Sequence, residues 1–91
     1  GITNPVPIEQ PRPRYTPEAM RAKVQGRVEL EVVVEADGTV GDVVVVRSLD
    51  QEFGLDASAI DAAKRWRFEP AMRDGQPVAV AVTLDLLFEI H

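Results

Sequence analysis

The 91-residue sequence has no cysteine and only one histidine. Without cysteine it can form neither a disulfide nor a thiolate metal site. The histidine, His91, is the last residue, where a frayed chain end or the remnant of a purification tag is a simpler interpretation than a catalytic base or a metal ligand. Ser48 and Ser58 have no other histidine to activate them, and no glycine-rich phosphate loop is present. We therefore expect no enzyme, no cofactor and no metal site.

Long apolar runs and excess positive charge are also missing. No run approaches about 18 consecutive apolar residues, so the sequence predicts no membrane-spanning helix, and the N-terminus lacks the pattern of a secretory signal. We expect a piece cut from a longer protein. The formal net charge is −5, which disfavours nucleic acid as a partner because an acidic domain repels phosphate backbones.

Proline is concentrated at the start of the chain. Five of the seven prolines lie within residues 1–17, and their alternation with other residues is typical of an extended, polyproline-like chain. We interpret residues 1–12 as the end of a proline-rich linker and residues 13–91 as one small domain.

Two helices are predicted in this domain. Thr16 as the cap and Pro17 at the first helical position predict a helix of about two to three turns, which Gly26 would end in the left-handed conformation. Asp56 is the predicted cap of a second helix that runs to about Arg67.

Three strands are predicted as well. Apolar and polar residues alternate over residues 27–35, and this period of two predicts a half-buried strand. Asp37 and Gly38 predict a tight hairpin turn into a second strand over residues 39–48. The alternation returns over residues 78–90 and predicts a long third strand, while an extra short strand at residues 68–72 stays open.

The order helix, strand, strand, helix, strand predicts an α+β fold. A hairpin followed by a right-handed crossover favours a three-stranded antiparallel sheet of order 2-1-3, with both helices packed on one face. The third strand then lies at the sheet's edge, and residues 78–84 carry neither a charge nor a proline to protect it. Such an open edge indicates a docking site for another chain or a dimer seam.

Four groups of residues, in order along residues 13–90, resemble the TonB C-terminal domain family. The opening group is Pro13, Arg14 and Tyr15, followed by Ala19 and by Gly26, Arg27 and Val28. The hairpin group is Asp37, Gly38, Thr39 and Val40. The helix-ending group is Lys64, Arg65, Trp66, Arg67, Phe68, Glu69 and Pro70, and the closing group is Leu87, Phe88, Glu89 and Ile90.

This resemblance implies the periplasmic recognition domain of an inner-membrane-anchored energy transducer. Such a domain binds the TonB box of an outer-membrane transporter by β-strand addition and passes on energy from the proton-motive force. ExbB and ExbD would act on an N-terminal anchor that is absent from this chain. The implied partner-binding residues are Arg12, Pro13, Arg14, Tyr15, Val80, Ala81, Val82, Thr83, Leu84, Asp85, Leu86, Leu87 and Phe88.

One alternative function remains open for the same fold. The chain could be a TolA-like envelope scaffold, or an assembly domain whose third strand pairs with that of a second copy in a homodimer. Arg12 and Arg14 also have a simpler interpretation, as solvated charges on the linker.

Overall fold

The computed structural model describes residues 1–90, and His91, interpreted above as a frayed chain end or a tag remnant, lies outside them. Eight strands and two helices follow one another along this part of the chain. They are β1 (Ile2–Thr3), β2 (Val6–Glu9), α1 (Pro17–Arg21), β3 (Gly26–Val34), β4 (Val40–Arg47), α2 (Leu55–Arg65), β5 (Arg67–Glu69), β6 (Ala71–Arg73), β7 (Gln76–Val78) and β8 (Val80–Phe88).

The central sheet has the strand order β4-β3-β8, and both neighbouring pairs are antiparallel. These three strands are the ones that the alternating segments predict, so the predicted order 2-1-3 is confirmed. The pairing of β3 with β8 runs without a break from Gly26 opposite Phe88 to Val34 opposite Val80. The last long strand of the described chain is therefore bonded to the middle strand along its whole length.

Both helices cover one face of this sheet, as predicted. On β3 every second side chain is completely buried, and α2 lies against β3 and β4 with its small apolar residues. Ala19 of α1 joins the same core. The completely buried residues of β3 and α2 are Val28, Leu30, Val32, Val34, Leu55, Ala59, Ala62 and Ala63.

Helix α1 is shorter than predicted. Thr16 does cap it, since its hydroxyl oxygen accepts a hydrogen bond from the Ala19 amide at 3.2 Å. The prediction that Gly26 ends the helix is wrong, because the chain leaves the helix after only five helical residues and Lys23 takes the left-handed conformation (φ 58°). The Val24 amide then donates to the Ala19 carbonyl at 3.0 Å, and this bond closes the helix end.

Helix α2 also begins and ends differently from the prediction. Its cap is Gly54 (φ 87°), and Asp56 is the second helical residue. The Asp56 carboxylate instead accepts hydrogen bonds from the loop that precedes the helix. Asp50 bonds the first turn, since its carboxylate accepts from the Leu55 amide at 3.2 Å. The helix ends at Arg65, two residues before the predicted end.

The N-terminal segment is extended, as its prolines predict, but it is paired with the rest of the chain. Strand β1 pairs with β6, and β2 pairs with β5, both antiparallel. Strand β6 also pairs with β7, which leads into β8. The stretch left open at residues 68–72 therefore contributes to two short strands. No helix among residues 1–90 has the length and apolar character that crossing a membrane requires.

Candidate docking groove

Strand β8 has a strand neighbour on one side only. It pairs with β3, and within residues 1–90 no strand pairs with its other side. An edge strand presents main-chain N–H and C=O groups on its unpaired side, and these groups can bond an extended segment of another chain. The backbone of β8 thus offers a template for an additional strand.

The side chains of β8 alternate between the core and solvent. Leu86 and Phe88 point into the core and are 3% and 2% exposed, whereas Leu87 between them is 56% exposed on the outer face. Tyr15 packs edge-on against Phe88, with ring centroids 5.4 Å apart and an interplanar angle of 83°. The core therefore fixes the position of the strand while its edge stays open.

A second element faces the last part of β8 and turns the edge into a groove. Residues 10–13 form one wall, the end of β8 forms the other, and the space between them is about 570 Å³. The lining residues are Gln10, Pro11, Arg12, Pro13, Tyr15, Trp66, Asp85, Leu86, Leu87, Phe88 and Glu89.

Two side-chain hydrogen bonds fix the groove's N-terminal wall. The indole N–H of Trp66 donates to the Pro11 carbonyl at 3.2 Å, and the Tyr15 hydroxyl donates to the Val24 carbonyl. The Trp66 ring also lies 6.0 Å, centroid to centroid, from the Phe68 ring. The wall is therefore attached to the end of α2 through Pro11, and Tyr15, two residues after the wall, is attached to the chain after α1.

The groove combines apolar surfaces with charges of both signs. Proline, tyrosine and tryptophan side chains line its wall, and Arg12 adds a positive charge there. Asp85 and Glu89 bring negative charge on the β8 side. Arg27 lies beside Asp85 at a nitrogen–oxygen distance of 4.0 Å, but both side chains are about half exposed or more, so this ion pair is weak. Such a lining suits an extended peptide with alternating apolar and polar residues.

The described residues contain no group of three or more histidine, cysteine or acidic side chains that could hold a metal ion. Their buried side-chain nitrogen and oxygen atoms all have hydrogen-bond partners.

The structure brings together only part of the predicted site. Arg12, Pro13, Tyr15, Asp85, Leu86, Leu87 and Phe88 all line the groove. Arg14 does not line it, although it is exposed beside it in sequence. The remaining predicted residues, Val80, Ala81, Val82, Thr83 and Leu84, continue the same edge beyond the groove.

Sequence reasoning missed four lining residues, of which Trp66 is the most informative. Its spacing from Ile60 and Ala63 indicated a core residue, and its ring does pack against the core. A tryptophan N–H usually finds a hydrogen-bond partner when its ring is buried, and this requirement was the available signal. The other missed residues are Gln10, Pro11 and Glu89.

Comparison with known proteins gives consistent matches. The family model for the C-terminal part of Gram-negative bacterial TonB proteins matches residues 11–90. Protein TonB of Xanthomonas campestris pv. campestris is 40% identical over 79 residues, which cover 87% of this chain and 35% of that protein. Protein TonB of Vibrio cholerae is 32% identical over 99 residues, which cover 100% of this chain and 40% of that protein.

A solved structure also matches the fold. The solution NMR structure of the Pseudomonas aeruginosa TonB CTD superimposes with a TM-score of 0.73 at 29% identity, covering 97% of this chain and 88% of that one. The chain spans well under half of the curated relatives described above.

Proposed function

Because the chain belongs to the family of TonB C-terminal domains, we propose that it is the periplasmic recognition domain of a TonB-type energy transducer. It binds the TonB box of an outer-membrane transporter by β-strand addition and passes on energy from the proton-motive force. Residues 1–12 continue a proline-rich spacer that leads to an inner-membrane anchor, where ExbB and ExbD act. The domain is a binding module and catalyses no reaction.

One observation supports this proposal above all others. The unpaired edge of β8 and the wall of residues 10–13 enclose a groove with main-chain groups on one side and apolar rings on the other. An extended peptide in this groove can bond the β8 backbone and place alternate side chains against Pro11, Tyr15 and Trp66. Strand addition is the binding mode that this combination favours.

The energetics fit a reversible contact. About five main-chain hydrogen bonds at about 1 kcal/mol net each give about 5 kcal/mol. Three apolar side chains at about 2 kcal/mol each raise the sum to about 11 kcal/mol. Association costs at least about 4 kcal/mol, and ordering the peptide costs more. The remainder corresponds to a dissociation constant of about 10 μM or weaker. Because much of it comes from the main chain, boxes of different sequence can share the site.

Two exposed side chains on opposite sheet edges provide a matched test. Leu87 on β8 is 56% exposed and lines the groove, while Val44 on β4 is 58% exposed at the other edge. We expect Leu87→Ala to weaken binding of a fluorescein-labelled TonB-box peptide about fivefold, because the docked strand covers the leucine. Val44→Ala should leave the affinity unchanged. Fluorescence anisotropy measures both dissociation constants.

The same experiment addresses a homodimer through the β8 edge. Analytical ultracentrifugation of the chain with and without saturating peptide reports whether docking and self-pairing compete. If the peptide neither binds nor changes the sedimentation coefficient, the transporter-recognition proposal is wrong. A dimer that resists the peptide, and that Leu87→Ala dissociates, would favour the assembly function instead.

A further inference from the structure

The N-terminal segment that forms the groove wall is held on the domain by few contacts. We call residues 2–13 the strap. Strand β1 contributes two register pairs with β6, and β2 contributes three pairs with β5, interrupted by a register shift between Pro7 and Glu9. Two further bonds hold the strap: the Trp66 N–H donates to the Pro11 carbonyl at 3.2 Å, and the Met72 amide donates to the Thr3 hydroxyl oxygen at 3.1 Å. Just before the strap, the Gly1 carbonyl accepts from the Asp74 amide at 3.1 Å. The strap is thus attached at several short, separate places.

Side-chain burial contributes little to strap attachment. All six residues of β1 and β2 are exposed, and Ile2 and Ile8 are 68% and 60% exposed. Main-chain bonds between exposed strands have a small net value, while fixing each residue has an entropic cost of similar size. Segments of this kind open locally far more often than the core does. Strap attachment is therefore close to balanced.

Detachment of the strap would remove one wall of the groove. Residues 10–13 are the C-terminal part of the strap, and they supply four of the groove's lining residues. Strand β2 pairs with β5, and β5 begins at the residue after Trp66. This pairing keeps residues 10–13 close to Trp66 and opposite the end of β8. The width of the groove is thus set by the attachment of a segment that contributes nothing to the core.

We propose that the strap is a detachable wall of the groove and that its attachment and peptide docking stabilise each other. Trp66 is the positioning residue, because its N–H holds the Pro11 carbonyl. This inference rests on the proposed function of the groove. Coupling of this kind is reciprocal, so a peptide that needs the wall must in turn protect the strap. The apparent affinity then follows the fraction of molecules with the strap attached.

Three variants of the full chain distinguish the contributions of the Trp66 donor, the β2 main-chain bonds and the strap side chains. Trp66→Phe keeps an aromatic ring on the core and removes the N–H donor together with part of the ring's volume. Val6→Pro combined with Glu9→Pro removes two main-chain donors from β2, at positions where no core side chain changes. Ile8→Ala is the matched control, since it alters an exposed strap side chain and leaves the main chain intact.

The expected changes are measured with the labelled TonB-box peptide. Removing the Trp66 donor should weaken binding about threefold, and the double proline variant about tenfold, because each lowers the attached fraction. Ile8→Ala should bind like the parent chain. Adding Trp66→Phe to the double proline variant should weaken binding by a further factor of similar size, because both changes lower the same attached fraction. If Trp66→Phe weakens binding but does not speed amide exchange in residues 6–9 without peptide, the indole N–H contacts the peptide directly, and that outcome would contradict the positioning role.

Hydrogen exchange measured by mass spectrometry gives a readout that does not depend on affinity. Saturating peptide should slow exchange of the amides in residues 6–9, and Trp66→Phe should speed it without peptide. Binding by the parent chain with unchanged strap exchange would overturn the coupling and leave the proposed function intact. If the parent chain binds no peptide, the proposed function fails, and the coupling fails with it.

Discussion

Asp56 is the only buried charged residue of the described chain, and its replacement tests how the loop before α2 is held. Its side chain is 7% exposed. The carboxylate accepts hydrogen bonds from the Ser48 hydroxyl and from the Leu49 and Asp50 amides, the last two at 3.0 Å. We expect Asp56→Ala to leave these donors without their acceptor and to destabilise the domain markedly.

The size of this effect can be worked out from the contacts. Hydrogen bonds to a charged group contribute about 1.5–3 kcal/mol each, and burial of the carboxylate opposes part of that sum. Because water can reach the half-exposed loop after truncation, we expect a net loss of about 3 kcal/mol. For a domain of this size, about 3 kcal/mol lowers the melting temperature by about 12–24 °C. Asp56→Asn keeps one carbonyl acceptor and should lose about half as much.

Thermal unfolding followed by circular dichroism measures this loss. Asp61→Ala is the matched control on the same helix, since the Asp61 carboxylate is exposed and bonds only Arg65 one turn away, at 3.1 Å. Exposed pairs of this spacing contribute about 0.5 kcal/mol or less. Equal melting temperatures for Asp56→Ala and Asp61→Ala would refute the role assigned to the buried carboxylate.

The same carboxylate makes stability depend on pH. Burial alone would raise the pKa of Asp56, but hydrogen bonds from the Asp50 amide, the Ser48 hydroxyl and the Leu49 amide outweigh it and lower the pKa below the ordinary value of 3.8. A carboxyl with a lowered pKa stabilises the fold above its unfolded pKa, and this stabilisation is lost as the pH falls through the folded pKa. Melting temperatures should therefore fall below about pH 4, and less steeply in Asp56→Asn.

Two further predictions concern other parts of the fold. Gly38→Ala should cost about 2 kcal/mol or more, because its Cβ would lie 2.1 Å from the Phe68 carbonyl oxygen at a backbone φ of 87°; urea denaturation checks this, and an unchanged midpoint would contradict it. Tyr15→Phe should cost about 1 kcal/mol, since it removes the hydroxyl bond to Val24 and keeps the ring against Phe88. Tyr15→Ala should lower the free energy of unfolding clearly more in the same measurement. Equal decreases for the two variants would show that the ring contact with Phe88 contributes nothing.

The central sheet could be predicted because its signal is local. Alternation in β3 and β8 places Val28, Leu30 and Leu86 on one face, and that face is buried in the structure. Asp37 and Gly38 predict the hairpin itself, but the predicted two-residue turn is wrong, because the Glu35 amide donates to the Thr39 carbonyl at 2.8 Å around a three-residue loop in which only Gly38 has a positive φ (87°). Each of these features depends on neighbours a few positions away, which a single sequence displays directly.

The helix ends depended on contacts that are distant in sequence. Gly26 is a good helix stop by composition, but the chain leaves α1 earlier, where the Tyr15 hydroxyl bonds the Val24 carbonyl and the Thr16 hydroxyl bonds the Phe53 carbonyl. Asp56 has the residue type of a cap, but loop amides six and seven residues away compete for its oxygens. Local preference alone does not decide such competitions.

The N-terminal pairing and the groove wall could not be predicted for a related reason. Strand β2 lies opposite residues about 60 positions later in the chain, and its side chains are exposed, so no apolar pattern marks the pairing. The wall depends on the Trp66 N–H meeting the Pro11 carbonyl, 55 positions apart. The family resemblance indicated residues 12–15 and β8, whereas their arrangement around one groove depends on contacts between residues far apart in the chain.

The uninterrupted register between β3 and β8 has a mechanical consequence. Tension applied along β8 is shared by nine consecutive residue pairs, whereas the strap is held by two pairs on β6 and three on β5. The strap should therefore detach before β8 separates from β3 when the N-terminus of the chain and a peptide docked on β8 are pulled apart. The freed strap would extend by at most about 40 Å. Only after this extension would the force act fully on the central sheet.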